Sequence, residues 1–179
     1  DYLDFSNMST IGNHRLTIGL QYESIDRNSE VYNSTYKKRK SKNYGHFTPY
    51  FEPSGVQSIY AIYISDEYNP TSNVVITPSI RYEYINSEGK GNAASDYNNI
   101  DAGHDYSKTI HAGVSGRLSI DYSITESTSL NLSYANVMKA PTIDDIFSVQ
   151  YARATATATA RDLKPSRINA YQTTLINKI

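Results

Sequence analysis

The sequence has no cysteine, no tryptophan and only 4 phenylalanines in 179 residues. Without cysteine the chain has no disulfide framework, and Cys-bound zinc and thiol catalysis are excluded. The formal net charge of -1 gives no basic surplus for nucleic acid, which we do not expect as a partner. There is no run of about 18 apolar residues for a transmembrane helix, and no signal-peptide pattern. A membrane β-barrel remains open, because its strands cross with about 9–11 residues of alternating polarity.

The chain is rich in tyrosine, with 17 residues, which suits broad amphipathic surfaces better than a dense aliphatic core. Several tyrosines fall near the ends of predicted strands, among them Tyr22, Tyr63, Tyr68, Tyr84, Tyr122 and Tyr134. Such residues suit the aromatic girdles of membrane barrels. They also suit any strand, because tyrosine has a high β-propensity.

Apolar and polar residues alternate with a period of two, which predicts β-strands. The clearest segments are 14–27, 74–86, 109–122 and 128–138, and weaker ones lie at 2–9, 56–68 and 168–179. Residues 59–64 are apolar on both faces, so their orientation stays open. Pro78 lacks an amide donor and predicts a local irregularity within its strand. We expect about seven strands and no helix.

The connections between these strands alternate in length. Short turns are predicted near 11–13, 69–73 and 125–127, and long connections near 27–55, 87–107 and 139–166. Tight turns on one side and extended loops on the other are typical of an outer-membrane barrel. A soluble β-sandwich that binds a partner through its loops, such as a surface adhesion domain, is the alternative class.

Two sequence boxes resemble those of TonB-dependent outer-membrane receptors. The first is Met138, Lys139, Ala140 and Pro141, which follows a strand and resembles the Phe-Arg-Ala-Pro box of that family. The second includes Asp162, Leu163, Lys164 and Pro165, and it precedes a further strand. Residues 57–84 also resemble a strand, turn and strand of these receptors, so the resemblance covers essentially the whole chain.

The resemblance implies an all-β fold: an antiparallel up-and-down transmembrane β-barrel segment, with about seven of some 22 strands. Residues 1–179 would then be part of the barrel domain, with the plug domain and the remaining strands absent. The implied location is the Gram-negative outer membrane. The implied partners are outer-membrane lipid and lipopolysaccharide, together with the TonB complex, which would act through the absent plug.

The same resemblance implies active transport of an iron-containing ligand, with haem or a haemoprotein first and a ferric siderophore second. We expect no permanently bound cofactor, no resident metal and no enzymatic activity, because the chain has no Gly-x-Ser-x-Gly motif or phosphate-binding glycine loop. In the haem group a histidine between the two boxes commonly ligates iron, and this chain has none there.

The candidate ligand-binding residues are few. His111 and Arg117 face the predicted barrel interior by register, while His46 and His104 fall in predicted external loops. Tyr151, between the boxes, is a candidate phenolate ligand of ferric haem. Each has a plainer alternative as a packing or solvated residue. A basic run at 37–42 has the chemistry to bind lipopolysaccharide phosphates or an acidic protein. The alternative is that this run is a solvated loop tip without a ligand.

Overall fold

The computed structural model describes residues 1–28, 31–33, 45–47, 54–90, 107–147, 149–152, 155–158 and 163–178. Its elements are β1 (Tyr2–Ile11), β2 (His14–Arg27), β3 (Val31–Asn33), β4 (Gly45–Phe47), β5 (Gly55–Thr71), β6 (Val74–Gly89), β7 (Thr109–Ser123), β8 (Thr128–Lys139), α1 (Ile143–Phe147), β9 (Val149–Ala152), β10 (Thr155–Ala158) and β11 (Ser166–Asn177).

Seven long strands form one sheet in the order β1-β2-β5-β6-β7-β8-β11, and every neighbouring pair is antiparallel. Strands that follow one another in this order also follow one another along the chain, so the sheet is an up-and-down meander. The predicted strands are confirmed in number and position, with ends that move by three residues or fewer.

Short and long connections lie at opposite ends of the sheet. At the turn end, two-residue links join β1 to β2 and β5 to β6, and residues 124–127 join β7 to β8. Gly12 in the first of these turns has φ 58°, which glycine adopts without the steric cost of a side chain. At the loop end, two of the long connections contain the small hairpins β3–β4 and β9–β10. The predicted segregation of turns and loops is confirmed.

The ladder fixes which residues share a face of the sheet. Ile18, Ile64 and Ile80 are partners across β2, β5 and β6, and their row continues to Gly116 on β7. The neighbouring residues belong to the other side, where Thr17 pairs with Ser65 and Ser65 with Ser79. We call these two sides the apolar face and the polar face.

The apolar face is open in the described part of the chain. Ile110, Leu118 and Leu132 are 54%, 42% and 41% exposed. A sandwich would bury these side chains under a second sheet, and the described residues form only one large sheet. The described residues therefore do not form the β-sandwich of the alternative interpretation.

Aromatic rings border the apolar face at both ends. Toward the loop end, Tyr60 lies between Tyr22 and Tyr84, with ring centroids 5.1 and 6.4 Å away. Toward the turn end, the His14 ring stacks on Tyr68 at 4.5 Å. The isoleucine row lies midway between these two aromatic groups.

Two sequence expectations, at Tyr63 and for helices, need correction, and the irregularity at Pro78 is located more closely. Tyr63 belongs to the polar face and not to a girdle, because it pairs with Gly19 and Arg81. The irregularity expected at Pro78 occurs in the β5–β6 ladder, where the paired positions skip Pro78 and Thr77 and the register shifts further on, between Tyr68 and Thr71; Pro78 keeps its register with Leu118 on β7. A short helix, α1, also exists, and its five residues are too few for a helical hydrophobic period to be visible in the sequence.

Candidate ligand-binding face

The polar face forms a concave cleft of about 930 Å³. Small hydroxyl residues from four neighbouring strands line it, and these are Ser65, Thr77, Ser79, Ser115, Ser119 and Ser133. They leave room above the sheet because their side chains are short. Charged groups in the same cleft, Asp4, Arg81, Glu83 and Arg117, give it the polarity of a surface that contacts water or a polar ligand.

Arg81 is held by two neighbours on the polar face. Its Nε donates to Glu83 Oε1 at 2.8 Å, and its Nη1 donates to Gln21 Oε1 at 2.6 Å. Glu83 also forms the ion pair with Arg81 along the same strand, so the guanidinium charge is locally compensated. Arg81 is therefore part of a compensated ion pair in the surface of the sheet.

Arg117 differs from the other described arginines. Arg15 pairs with Glu67, Arg27 with Asp144 and Arg81 with Glu83. Arg167 donates to the Val114 carbonyl and to Asn136 Oδ1. Arg117 makes no such bond in the described structure, so its guanidinium is free to meet an anionic group entering the cleft.

Tyr63 closes a small gap on the same face. A side chain at Gly19 would place its Cβ 2.2 Å from Tyr63 Cζ, so the tyrosine ring lies directly over the glycine. The Tyr63 hydroxyl donates to Asp4 Oδ1 at 2.9 Å. The ring thus links three strands, which alternation alone did not reveal because the 59–64 run is apolar on both faces.

His111 lies on the polar face, as its register predicts, opposite Ile85. Its position is near the loop end, two residues into β7. The Nε2 atom is buried and has no hydrogen-bond partner. The ring therefore does not present this nitrogen to the cleft in the present conformation.

Two of the other candidate ligands, His46 and Tyr151, are located by the pairing of their backbones. His46 lies in β4, where its backbone pairs with Tyr32, and Tyr151 lies in β9, where its backbone pairs with Ala156. Both belong to small hairpins of the long connections, separate from the seven-stranded sheet. His104 and the basic run at 37–42 lie outside the described residues.

The two boxes are neighbours in the structure. Met138 and Lys139 end β8 and pair with Arg167 and Ser166 at the start of β11. Leu163, Lys164 and Pro165 lead directly into β11, and Asp162 lies outside the described residues. Ala140 and Pro141 lead instead from β8 into α1. The boxes thus mark the two ends of one connection at the loop end of the sheet.

The segment after the first box folds onto the polar face. Gln57 on β5 donates from Nε2 to the Pro141 carbonyl at 3.2 Å and to Ser87 Oγ at 2.9 Å. Ile143, Ile146 and Phe147 of α1 form a buried hydrophobic cluster. This helix was not predicted from the sequence, although the Thr-x-x-Asp pattern that begins at Thr142 is a signal for a helix start.

Asp145 fixes the start of α1. The Thr142 amide and hydroxyl donate to Asp145 Oδ2 at 2.9 and 2.8 Å, and the Asp145 amide donates to Thr142 Oγ1 at 3.3 Å. These donors favour the ionised carboxylate, so they lower the pKa of Asp145 below its usual value. The arrangement is a capping box with Asp in place of Glu.

Metal-binding clusters and membrane-spanning helices are both absent from the described residues. The described residues contain no group of three or more His, Cys, Asp or Glu side chains placed to hold a metal ion. Within the same residues, no helix has the length and hydropathy needed to cross a membrane.

Comparison with known proteins agrees with this geometry. The chain is similar to TonB-dependent heme receptor A of Haemophilus influenzae strain Rd, with 34% identity over 93% of this chain and 23% of the relative. It is also similar to TonB-dependent heme receptor A of Haemophilus ducreyi, with 36% identity over 87% of this chain and 21% of the relative. The chain thus spans less than a quarter of the length of these relatives.

A solved structure shares the fold. The crystal structure of the ferric-catecholate import receptor Fiu from Escherichia coli K12, in its closed form, superposes with a TM-score of 0.58. The match covers 97% of this chain and 28% of that receptor, at 16% sequence identity. The family model described as "TonB dependent receptor-like, beta-barrel" matches residues 2–176. This chain therefore belongs to the TonB-dependent receptor β-barrel family.

Proposed function

We propose that the chain is part of the barrel wall of an outer-membrane receptor that binds haem or a haemoprotein and imports it with energy supplied through TonB. The observation that carries the choice of haem is the 34–36% identity to haem receptors over about nine-tenths of the chain. A separate plug domain would contact TonB, and residues 1–179 would contribute only barrel wall. The chain has no catalytic role in this proposal.

The apolar face supports the membrane location. Tyr60 and Tyr68 are eight residues apart on β5, which is about 26 Å along a strand at roughly 3.3 Å per residue. A tilt of about 40° reduces this to a height of about 20 Å, close to the apolar band of roughly 25 Å in outer-membrane barrels. The exposed isoleucines between these aromatic rings would meet lipid.

The polar face supports transport of an anionic cargo. Haem carries two carboxylates, and Arg117 offers a free guanidinium inside the cleft. His111, His46, His104 and Tyr151 remain proposed contacts for the iron or its porphyrin. A ferric siderophore is the second candidate cargo, because an unpaired arginine also suits an anionic chelate.

The decisive experiment titrates the complete receptor, purified in detergent, with haemin while its Soret band is recorded. We expect a saturable Soret shift at stoichiometric haemin. Absence of a shift, together with tight binding of a ferric catecholate or hydroxamate, would replace haem by a siderophore as the cargo.

The role of Arg117 is tested by haem uptake in cells that depend on this receptor for iron. We expect Arg117→Gln to slow uptake by about ten- to a hundredfold, as loss of one charge-assisted bond of about 1.5–3 kcal/mol implies. Arg15→Gln removes the same charge from a residue already paired with Glu67 near the turn end, and it should leave uptake within twofold. Equal effects of the two variants would show that Arg117 has no specific contact with the cargo.

A further inference from the structure

Residues 140–147, which we call the strap, leave β8 and cross back over the loop end of the sheet. Gln57 on β5 binds the Pro141 carbonyl, and α1 contacts both β5 and β6. The Cγ2 of Ile143 lies 3.1 Å from the point where a Cβ on Gly55 would stand. The strap therefore passes β7 and reaches β6 and β5.

The apolar side chains of the strap are buried away from water. Ile146 and Phe147 have no exposed surface, and Ile143 is 5% exposed. They form the buried hydrophobic cluster of a sheet whose large apolar side chains are mostly exposed. Burial of three such side chains is a strong reason for the strap to stay docked, since each contributes through removal of apolar area from water.

A charged contact extends the strap to a further strand. Arg27, the last residue of β2, forms an ion pair with Asp144 of α1. Arg27 shares the polar face with Glu23, and the adjacent Asp26 pairs instead with Lys90, between Nζ and Oδ1 at 2.6 Å. The strap is thus fixed at β8, at β5 through Gln57, and at β2 through Arg27.

The strap is followed at once by a hairpin that carries a candidate ligand. Hairpin β9–β10 begins at Val149, two residues after Phe147, and it includes Tyr151. The second box then returns the chain to β11. A docked strap therefore holds the start of this hairpin near the polar face. If the strap were undocked, the hairpin would be attached only through the ends of β8 and β11.

We propose that the strap is a positioning element for ligand capture, and that Arg27 and Asp144 are the positioning residues that hold the start of hairpin β9–β10 at the loop end of the sheet. This inference rests on the proposed function, because it assumes that the hairpin meets the cargo. Neither residue touches the ligand. They act through the backbone of α1.

Docking is tested first, without any ligand. In the complete receptor, Arg27→Cys with Asp144→Cys should be joined efficiently by a short bis-maleimide, as detected by mass spectrometry of the digested protein. Asp26→Cys with Asp144→Cys is the matched control, because residues 26 and 27 point to opposite faces of β2. Equal cross-linking of both pairs would show that the strap is not docked, and it would overturn the proposal.

Positioning is tested by a charge-reversal series in haemin titrations. Arg27→Asp places two acids together and should weaken haemin binding by about two- to fivefold, the range expected for a partly exposed ion pair. Arg27→Asp with Asp144→Arg should restore the wild-type Kd to within twofold. Asp26→Asn removes a neighbouring ion pair that does not involve the strap, and it should leave the Kd unchanged.

The outcomes separate the two proposals. If wild-type receptor gives no Soret shift, the haem assignment fails, and the same series is read with the ferric chelate that the receptor binds. If wild-type receptor binds its cargo but the reversal leaves the Kd unchanged, the strap proposal fails and the transport function stands. Failure of the double reversal to restore binding also contradicts a positioning role for this contact.

Discussion

The assignment of the two faces makes a sharp prediction at adjacent residues. Ile80 lies on the apolar face and is 51% exposed, whereas Ser79 lines the cleft on the polar face. Ile80 also belongs to the row of Ile18 and Ile64, midway between the aromatic rings at the two ends. We therefore expect Ile80→Arg to place a charge near the centre of the bilayer.

The expected magnitude follows from that depth. An arginine on the lipid face of a barrel costs about 2–4 kcal/mol at the midplane and about 0–1 kcal/mol near the interfaces. Ile80→Arg should therefore lower the free energy of unfolding by about 3 kcal/mol, or about two decades in the equilibrium constant. Ser79→Arg adds the same charge on the wet side and should cost less than about 1 kcal/mol.

The assay is equilibrium unfolding of the complete receptor in lipid vesicles with guanidinium, followed by the mobility shift of the folded barrel on unheated gels. Ile80→Ala controls for the lost isoleucine surface, so the excess cost of arginine over alanine reports lipid contact. Equal destabilisation by Ile80→Arg and Ser79→Arg, or a larger effect at Ser79, would refute the assignment of the faces.

Three further predictions concern local packing. Gly19→Ala should displace the Tyr63 ring and cost about 1 kcal/mol, and the loss should largely disappear in a Tyr63→Ser background, as measured by the same unfolding assay. Gly113→Ala would place a Cβ 2.3 Å from Met138 Sδ, so a cost of about 1–3 kcal/mol is expected, to be checked by the gel-shift midpoint. The lowered pKa of Asp145 means that its carboxylate stabilises the docked strap above the pKa of the unfolded chain, and that this contribution is lost as pH falls through the folded pKa. Hydrogen-exchange protection factors at residues 143–147 should therefore fall selectively in acid, and Asp145→Asn should abolish that pH dependence.

Most of the sheet was predictable because each strand contains its own signal. In a strand with one apolar side, apolar residues recur at every second position. This local pattern closely identified the segments at 14–27, 109–122 and 128–138. The alternation of turns and loops was equally visible, since it depends only on spacing. The orientation of residues 59–64 was not predictable, because isoleucine and tyrosine occur on both sides of the strand.

The candidate site was predictable only in part. The register of β7 correctly placed His111 and Arg117 on the polar face. It did not show that His111 Nε2 would be buried, or that Arg117 alone among the described arginines would lack a partner. Those properties depend on groups from other strands, such as Glu83 beside Arg81 and Asp144 beside Arg27.

The sequence by itself determined the seven strands, their alternating faces and the end at which the long connections lie, because a period of two and the spacing of turns are local properties of the chain. The tertiary structure alone decided that Tyr63 covers Gly19 and that residues 140–147 return across the sheet to Gln57 and Arg27. These contacts join residues more than 40 positions apart, and they exist only once the ladder has set each strand beside its neighbour.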